Sequence, residues 1–390
     1  MSTEPTLPND DRSAAQSPEV RFAANDVRLS PRGWIVAALL IAGAFWAIPA
    51  VWRRIEPLTI GPDDRVPYRL GYDYWNYQRT CQQVCAGEQT LLIGDSVVWG
   101  HYVAGDQTLS HCLNQQAGGP RFANLGIDGI HPVALAGLVR YYGGAIRGKR
   151  VLVNCNLLWM SSPRHDLSAD EESAFNHPGL VPQFLPRIPA YKASASQRLG
   201  IVFGRQIGLL GWADHLRIAY FGGDNLATWT FAHPYENPLD AVTLALPSPD
   251  EPPSPEPDAR PWTEKGIGKV APEWVELDAS LQWRFFRQTI RLLQERGNRV
   301  FVLIGPLNEA MLSDEALPAY ARLSGQVAAW LAEQGIPHYA PPALPSQANA
   351  DLSHPTAKGY ELLAEQLFAQ EPFTQFLASQ ADPPSPPAPD

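Results

Sequence analysis

Three polar side chains, widely separated in a 390-residue chain, have the types and local spacing of a covalent acyl-transfer site. Ser96 follows the apolar run Thr90-Leu91-Leu92-Ile93 and the pair Gly94-Asp95. An apolar run that ends at glycine predicts a buried strand of a parallel sheet, with a turn into a helix after it. In an open α/β sheet the carboxyl ends of the strands face the ligand crevice, and the free N–H groups of a helix N-terminus favour developing negative charge. A hydroxyl on that turn is placed as a nucleophile. At its free pKa it attacks weakly, so it needs a neighbouring base and a carboxylate that holds the base in one tautomer. Asp351-Leu352-Ser353-His354-Pro355 contains both types. The competing structural reading is that an Asp or Ser ahead of a helix serves as a cap.

Gly94-Asp95-Ser96 near the start and Asp351-x-x-His354 near the end resemble the paired motifs of the SGNH (GDSL) hydrolase superfamily. The resemblance implies Ser96 as nucleophile, His354 as general base and Asp351 as the group orienting the imidazole. It implies an oxyanion hole built from the Ser96 N–H, a glycine N–H of the stretch Asn124-Leu125-Gly126-Ile127-Asp128-Gly129, and an asparagine amide. Gly129 is the better match for the glycine and Gly126 the fallback. The third block should read glycine, any residue, asparagine, but the chain has Asn154-Cys155-Asn156. Asn156 aligns with the oxyanion asparagine, and Asn154, on the same face by strand alternation, competes with it. Asp95, Trp99, Asp128 and Trp159 adjoin these blocks as candidate substrate-binding residues, the two tryptophans either stacking on sugar or acyl groups or packing the sheet. An ordinary α/β-hydrolase is excluded as the first reading, because no Gly-x-Ser-x-Gly elbow surrounds Ser96 and only three positions separate Asp351 from His354.

Positioning these residues requires alternating strands and helices. Arg121 to Leu125 reads as a strand, followed by a helix that begins at Pro132 and stops near Gly143 and Gly144. Trp283, Phe286, Ile290 and Leu293 share one helical face before the buried strand Arg299 to Ile304. Leu323, Val327, Trp330 and Leu331 form the next stripe, ahead of a short strand around Tyr339. Pro355 suits a first helical position, and Tyr360, Leu363, Ala364, Leu367 and Phe368 mark the helix that anchors the base. This βαβ alternation predicts a parallel sheet. With the resemblance, it implies a three-layer α/β/α sandwich of the SGNH, flavodoxin-like kind.

A net charge of −10 and a pI near 5.4 argue against a nucleic-acid surface, which needs clustered Lys and Arg. Residues 1–32 read as a polar disordered tail and 33–54 as a single transmembrane anchor, apolar over 33–52, with Trp34 and Trp52 as interfacial residues. A cleaved signal peptide fits less well, because Ile48-Pro49-Ala50 is a poor cleavage site. Arg12, Arg21, Arg28 and Arg32 before the apolar run balance Arg53, Arg54, Arg65 and Arg69 after it, so charge does not set the orientation. The expected organisation continues with a linker at 55–85, a first SGNH half at 86–160 and an insertion or lid at 161–271 with a proline-rich loop. A second half at 272–380 and a tail at 381–390 complete it. Part of the insertion, Ser194 to Tyr220, reads as helical. Its His165, His177, His215 and His233 read as surface or hydrogen-bonded histidines in preference to metal ligands. Cys81 and Cys85 have the spacing of a candidate disulfide, while Cys155 reads as a buried small hydrophobe.

The expected chemistry is acyl transfer through an acyl-serine with no metal or organic cofactor. The resemblance implies a carbohydrate esterase or O-acyltransferase on the bacterial inner membrane, its catalytic domain extracytoplasmic. Its expected substrate is an acylated envelope polysaccharide, with a membrane-bound acyltransferase as a candidate partner. Two alternatives stand beside it: a lipase or lysophospholipase acting on a lipid ester, and an inactive module that binds a glycan or a partner.

Overall fold

A computed structural model describes residues 29–171 and 176–379. Most of the 1–32 tail and all of the 381–390 tail expected from the sequence lie outside the described residues. The chain divides into two units, residues 1–48 and 49–390. Helix α1, Pro31–Ile55, is long and apolar enough to cross a membrane. Its 25 residues span about 37 Å at ~1.5 Å per residue, against ~30 Å of bilayer hydrocarbon. Trp34, Ile35, Leu39, Leu40, Phe45 and Trp46 all point outward, the pattern of a helix without a polar face.

The remainder is α/β. In chain order it runs α2 (Tyr74–Val84), β1 (Thr90–Ile93), α3 (Ser96–Trp99), α4 (Leu109–Ala117), β2 (Phe122–Asn124), α5 (Pro132–Tyr141) and β3 (Arg150–Cys155). Four helices follow outside the sheet: α6 (Ala195–Gln206), α7 (Gly208–Tyr220), α8 (Leu226–Ala232) and α9 (Pro238–Ala241). The sheet resumes with α10 (Leu281–Glu295), β4 (Arg299–Ile304), α11 (Leu317–Glu333) and β5 (His338–Tyr339), and the chain closes with α12 (Ala357–Phe368) and α13 (Glu371–Ala378). The strands form one parallel sheet in the order β2-β1-β3-β4-β5.

Side-chain alternation explains why these strands are apolar throughout. Leu91, Ile93, Val151, Val153, Val300 and Val302 pack with Tyr77 of α2, Leu138 of α5, Ile290 of α10 and Val327 of α11. Leu92, Leu152, Phe301 and Leu303 pack in a second cluster with Val97 of α3, Leu113 of α4, Leu363 of α12 and Phe373 of α13. A strand covered on both faces has no reason to alternate with polar residues. Each fully buried side chain of this size contributes roughly 1.5–3 kcal/mol.

The strand order reverses between β1 and β3, because the chain leaves β1 toward β2 on one side and then crosses to β3 on the other. At such a reversal the connections diverge and leave a crevice outside the carboxyl ends of the strands. Gly94-Asp95-Ser96 and Asn154-Cys155-Asn156 lie at those ends.

Residues 55–85 are not a linker. Leu70, Trp75, Tyr77 and Cys81 are buried, and Asp73 caps α2 by accepting from the Asn76 N–H at 2.9 Å. The apolar face of α2 is interrupted by Asn76, Arg79 and glutamines, which conceals it in the sequence. The four cysteines are free thiols, so the candidate Cys81–Cys85 bridge is not formed. Burial raises both of those thiol pKa values, Cys85 to about 11.

Glu56, the residue after α1, enters a wholly buried cluster. His215 of α7 lies between Glu56 Oε1 at 2.8 Å and Asp73 Oδ2 at 2.6 Å, and all three side chains are at most 1% exposed. Arg79 and Tyr220 also donate to Glu56. Flanking this cluster, the rings of Trp52 and Trp212 meet edge to face, 5.6 Å apart. Burial opposes the charge on each group, but the partners outweigh it, holding Glu56 down to about 2 and raising His215 to about 9. The signs follow by linkage. The His215 contribution is complete below its ordinary 6.5 and is lost as pH rises through about 9; that of Glu56 is complete above its ordinary 4.5 and is lost as pH falls through about 2. Thermal melting of the full chain in detergent is therefore expected to weaken between pH 6.5 and 9. His215→Gln is expected to flatten that slope, and to lower the midpoint by about 5–15 °C through loss of the charge between the two buried carboxylates. A slope unchanged by the substitution would show that the cluster is not the titrating element.

Candidate active site

Ser96 is half-buried at the first position of α3, which is a single turn. Asp95 caps that turn: its Oδ1 accepts from the Val97 N–H at 3.0 Å. Gly100, at φ +90° in the left-handed region, ends the turn, and the N–H groups of Gly100 and His101 both reach back to the Ser96 carbonyl, at 2.8 and 3.1 Å. A side chain at Gly100 would be strained there and would collide with Thr108. The two bonds to the Ser96 carbonyl close the C-terminal end of the turn and fix where His101 leaves it.

The Asp351–His354 loop meets this turn from the far end of the chain. His354 Nε2 lies 2.8 Å from Ser96 Oγ, and His354 Nδ1 lies 2.8 Å from both oxygens of Asp351. Asp351 Oδ1 also accepts from the N–H groups of Ser353 and His354, each at 2.9 Å. The loop is pinned by Asn308, whose N–H donates to the Leu352 carbonyl and whose side chain donates to that of Asp351. Its C-terminal end enters α12 through a Thr356 cap. Pro355 therefore precedes the cap and is not the first helical residue expected from the sequence. Tyr360 of α12 closes the arrangement by donating to the Val97 carbonyl at 2.7 Å, which fastens the helix after the base to the helix of the serine.

Burial lowers the His354 pKa, but the adjacent Asp351 carboxylate more than compensates and raises it. Burial likewise opposes charge on Asp351, and the His354 ring together with the backbone donors holds that carboxyl well below the usual range. With Asp351 on Nδ1, the other ring nitrogen, Nε2, is the one that meets Ser96 Oγ.

Asp95 is buried, and its Oδ2 accepts from Asn156 Nδ2 at 2.8 Å and from Trp159 Nε1 at 2.7 Å. Asn156, just past β3, is thereby held against the residue next to Ser96, with one amide N–H still uncommitted among the described residues. Asn154 is turned elsewhere: its Nδ2 donates to the Gly305 carbonyl, linking the ends of β3 and β4. For the glycine donor, the Gly126 N–H is spent on Asn124 Oδ1 at 3.0 Å. Among the described residues no acceptor takes the N–H of Gly129 or of Ser96. Gly129 has φ +69°, and Asn176 donates to its carbonyl at 3.2 Å.

Trp99 offers no face to a ligand. It is 1% exposed, its Nε1 donates to the Val66 carbonyl at 2.7 Å, and the Arg65 guanidinium lies 3.8 Å from its ring centre. Its apolar neighbours in α3 draw it into the core. Trp159 remains half-buried beside Asp95. The Asp128 carboxylate is occupied by His101 Nδ1 at 2.7 Å.

Sequence reasoning missed His101, Tyr102 and Lys265. The His101 and Tyr102 rings lie 5.5 and 5.3 Å from that of His354, and Lys265 Nζ sits 4.5 Å above the Tyr102 ring while donating to the Ala350 carbonyl. The legible clue for His101 and Tyr102 was Gly100, which marks a reversal just after the serine turn; Lys265 had none. Among the described residues no group of three His, Cys, Asp or Glu side chains is placed to hold a metal ion. No family model and no curated protein matches the chain.

If the imidazole acts as base it must be neutral, so turnover of an activated ester is expected to fall with decreasing pH along a limb above the ordinary 6.5. Asp351→Asn removes the charge that raises His354 and leaves the burial that lowers it. The limb is then expected to move to lower pH, and the plateau to drop by about 10³- to 10⁴-fold. A limb that stays in place would exclude His354 as the titrating base. Asn156→Ala is expected to reduce turnover by about 10- to 1000-fold, and more than Asn154→Ala; the opposite ranking would transfer the oxyanion role to Asn154.

Proposed function

We propose that the protein is a membrane-anchored serine esterase or O-acyltransferase of the SGNH type, built as a three-layer α/β/α sandwich. Its substrate in this reading is an O-acylated envelope polysaccharide outside the inner membrane, with a membrane-bound acyltransferase as a partner. The observation that carries the chemical part is the chain of contacts from Ser96 Oγ through the His354 ring to Asp351, assembled from residues 258 positions apart.

In the proposed reaction the Ser96 Oγ attacks the acyl carbon while its proton passes to His354 Nε2. The carbonyl electron pair moves onto oxygen, where the N–H groups of Ser96 and Gly129 and the Asn156 amide stabilise it. Collapse restores the carbonyl and breaks the bond to the alcohol oxygen, which leaves with the proton from His354. Water, or the hydroxyl of a second sugar, then attacks the acyl-serine by the same steps in reverse, and Ser96 recovers its proton. Leu199, Phe203, Leu226 and Phe231 expose large apolar surface in α6 and α8, which favours a lipid ester as the second reading.

A fluorophosphonate probe is expected to label the wild-type chain on Ser96 and to leave Ser96→Ala unlabelled. Hydrolysis of an aryl acetate is expected to fall by several orders of magnitude in Ser96→Ala and in His354→Ala, because the members of such a unit fail together. Absence of labelling in the folded wild type would identify a binding module. A preference for lysophospholipid over acetylated oligosaccharide would select the lipid reading.

A further inference from the structure

We infer that His101, held by Asp128, forms a subsite beside Ser96 and His354 that accepts a hydrogen bond from a second hydroxyl of the ester's alcohol. The ligand class is therefore a neutral polyhydroxylated ester, such as an acylated sugar. The inference rests on the proposed esterase reading and adds to it the feature of the substrate that is recognised.

The chain reverses at Gly100 after α3, and the ring centre of His101 lies 5.5 Å from that of His354. Asp128 Oδ1 takes the Nδ1 side of the ring at 2.7 Å. In a neutral imidazole, a carboxylate on Nδ1 fixes the proton there and leaves Nε2 as an acceptor. Among the described residues Nε2 has no protein partner, and the His101 side chain is 25% exposed. The pair thus repeats the His354–Asp351 arrangement without a serine of its own.

The support behind the pair is firm. The Asp128 carbonyl lies 3.2 Å from Nε2 of the buried His177, and the next residue, Gly129, has its carbonyl held by Asn176 at 3.2 Å. The carboxylate that holds the His101 ring and a candidate oxyanion donor are therefore neighbours, Asp128 and Gly129, in one anchored turn. An ester whose carbonyl oxygen meets Gly129 has its alcohol portion within reach of His101 when it carries a neighbouring hydroxyl. Three carboxylates, Asp95, Asp128 and Asp351, act on His354, against the single ammonium of Lys265 beside Tyr102. Their field disfavours an anionic alcohol such as a phospholipid headgroup and favours a neutral polyol. A buried or half-buried acceptor left unpaired by a substrate without the hydroxyl penalises that substrate.

The test compares kcat/KM of the full-length protein in detergent for 2-hydroxypropyl acetate and for propyl acetate, which differ by one hydroxyl. Wild type is expected to prefer the hydroxylated ester by about tenfold or more. His101→Phe should bring the ratio close to unity, Asp128→Asn should lower it, and His101→Gln, which keeps an acceptor, should recover part of it. A merely structural role for the pair would slow both esters equally and leave the ratio alone. A wild type that cleaves both esters without preference, or a preference that survives in His101→Phe, overturns the inference while the proposed function stands. Should His101→Phe fail to fold, the ratios of His101→Gln and Asp128→Asn decide, and a wild-type ratio in both overturns it. A wild type that cleaves neither ester and takes no fluorophosphonate overturns the proposed function and this subsite with it.

Discussion

The buried carboxylate of Asp95 is the constraint on which the site depends. Its three donors come from three places: the Val97 N–H inside the serine turn, the Asn156 amide at the end of β3, and the Trp159 indole beyond it. Burying the carboxylate is costly, and its pKa is raised by that burial despite the hydrogen bonds. In return the ends of β1 and β3 are locked together where the sheet order reverses, the one place where a parallel sheet opens a crevice between diverging connections. The Ser96 hydroxyl, bonded to His354, and an uncommitted amide N–H of Asn156 lie at those strand ends, each on a rigid element.

The second constraint brings the two ends of the chain together. Tyr360 is fully buried and donates to the carbonyl of Val97, so α12 and α3 share a hydrogen bond as well as an apolar cluster. The Asp351–His354 loop is carried by α12 and braced by Asn308 after β4. The serine-to-imidazole distance is thus set by packed helices and strand ends, the kind of support that keeps a site near productive geometry. The 157–271 stretch between the sheet halves adds to this bracing, because Trp262 and Lys265 donate to the Asn349 and Ala350 carbonyls just before Asp351. Its Arg198 and Arg205 hold turns at 179–191 by donating to their carbonyls, and its α7 supplies His215 to the buried cluster around Glu56.

That cluster performs a different task. The chain leaves an apolar helix at Ile55 and enters the α/β body at Glu56, where one histidine bridges two carboxylates. Removing a partner leaves a buried charge without compensation, whereas the intact set is mutually satisfied. Trp52 and Glu56, at the end of α1 and just past it, are consequently packed against α7.

Much of the architecture was legible because its signals are local. Apolar runs marked β1 and β4, and the one-sided stripe Trp283, Phe286, Ile290 and Leu293 marked α10. Three further features were hidden. The α2 face is diluted by polar residues, Trp99 reads like a ligand platform until its burial is seen, and nothing in the spacing connects His101 to His354. Residue order alone determined the alternation of strands and helices around the sheet, the helix long and apolar enough to cross a membrane, and the Gly-Asp-Ser and Asp-x-x-His motifs, since each is written in the periodicity or chemistry of a few adjacent positions. Only the tertiary structure decided which asparagine turns toward Asp95, which glycine keeps its N–H free, and that a second His–Asp pair stands beside the first. Those choices depend on which strand ends and turns meet across the sheet, and contacts between residues far apart in the chain leave no trace in the local pattern.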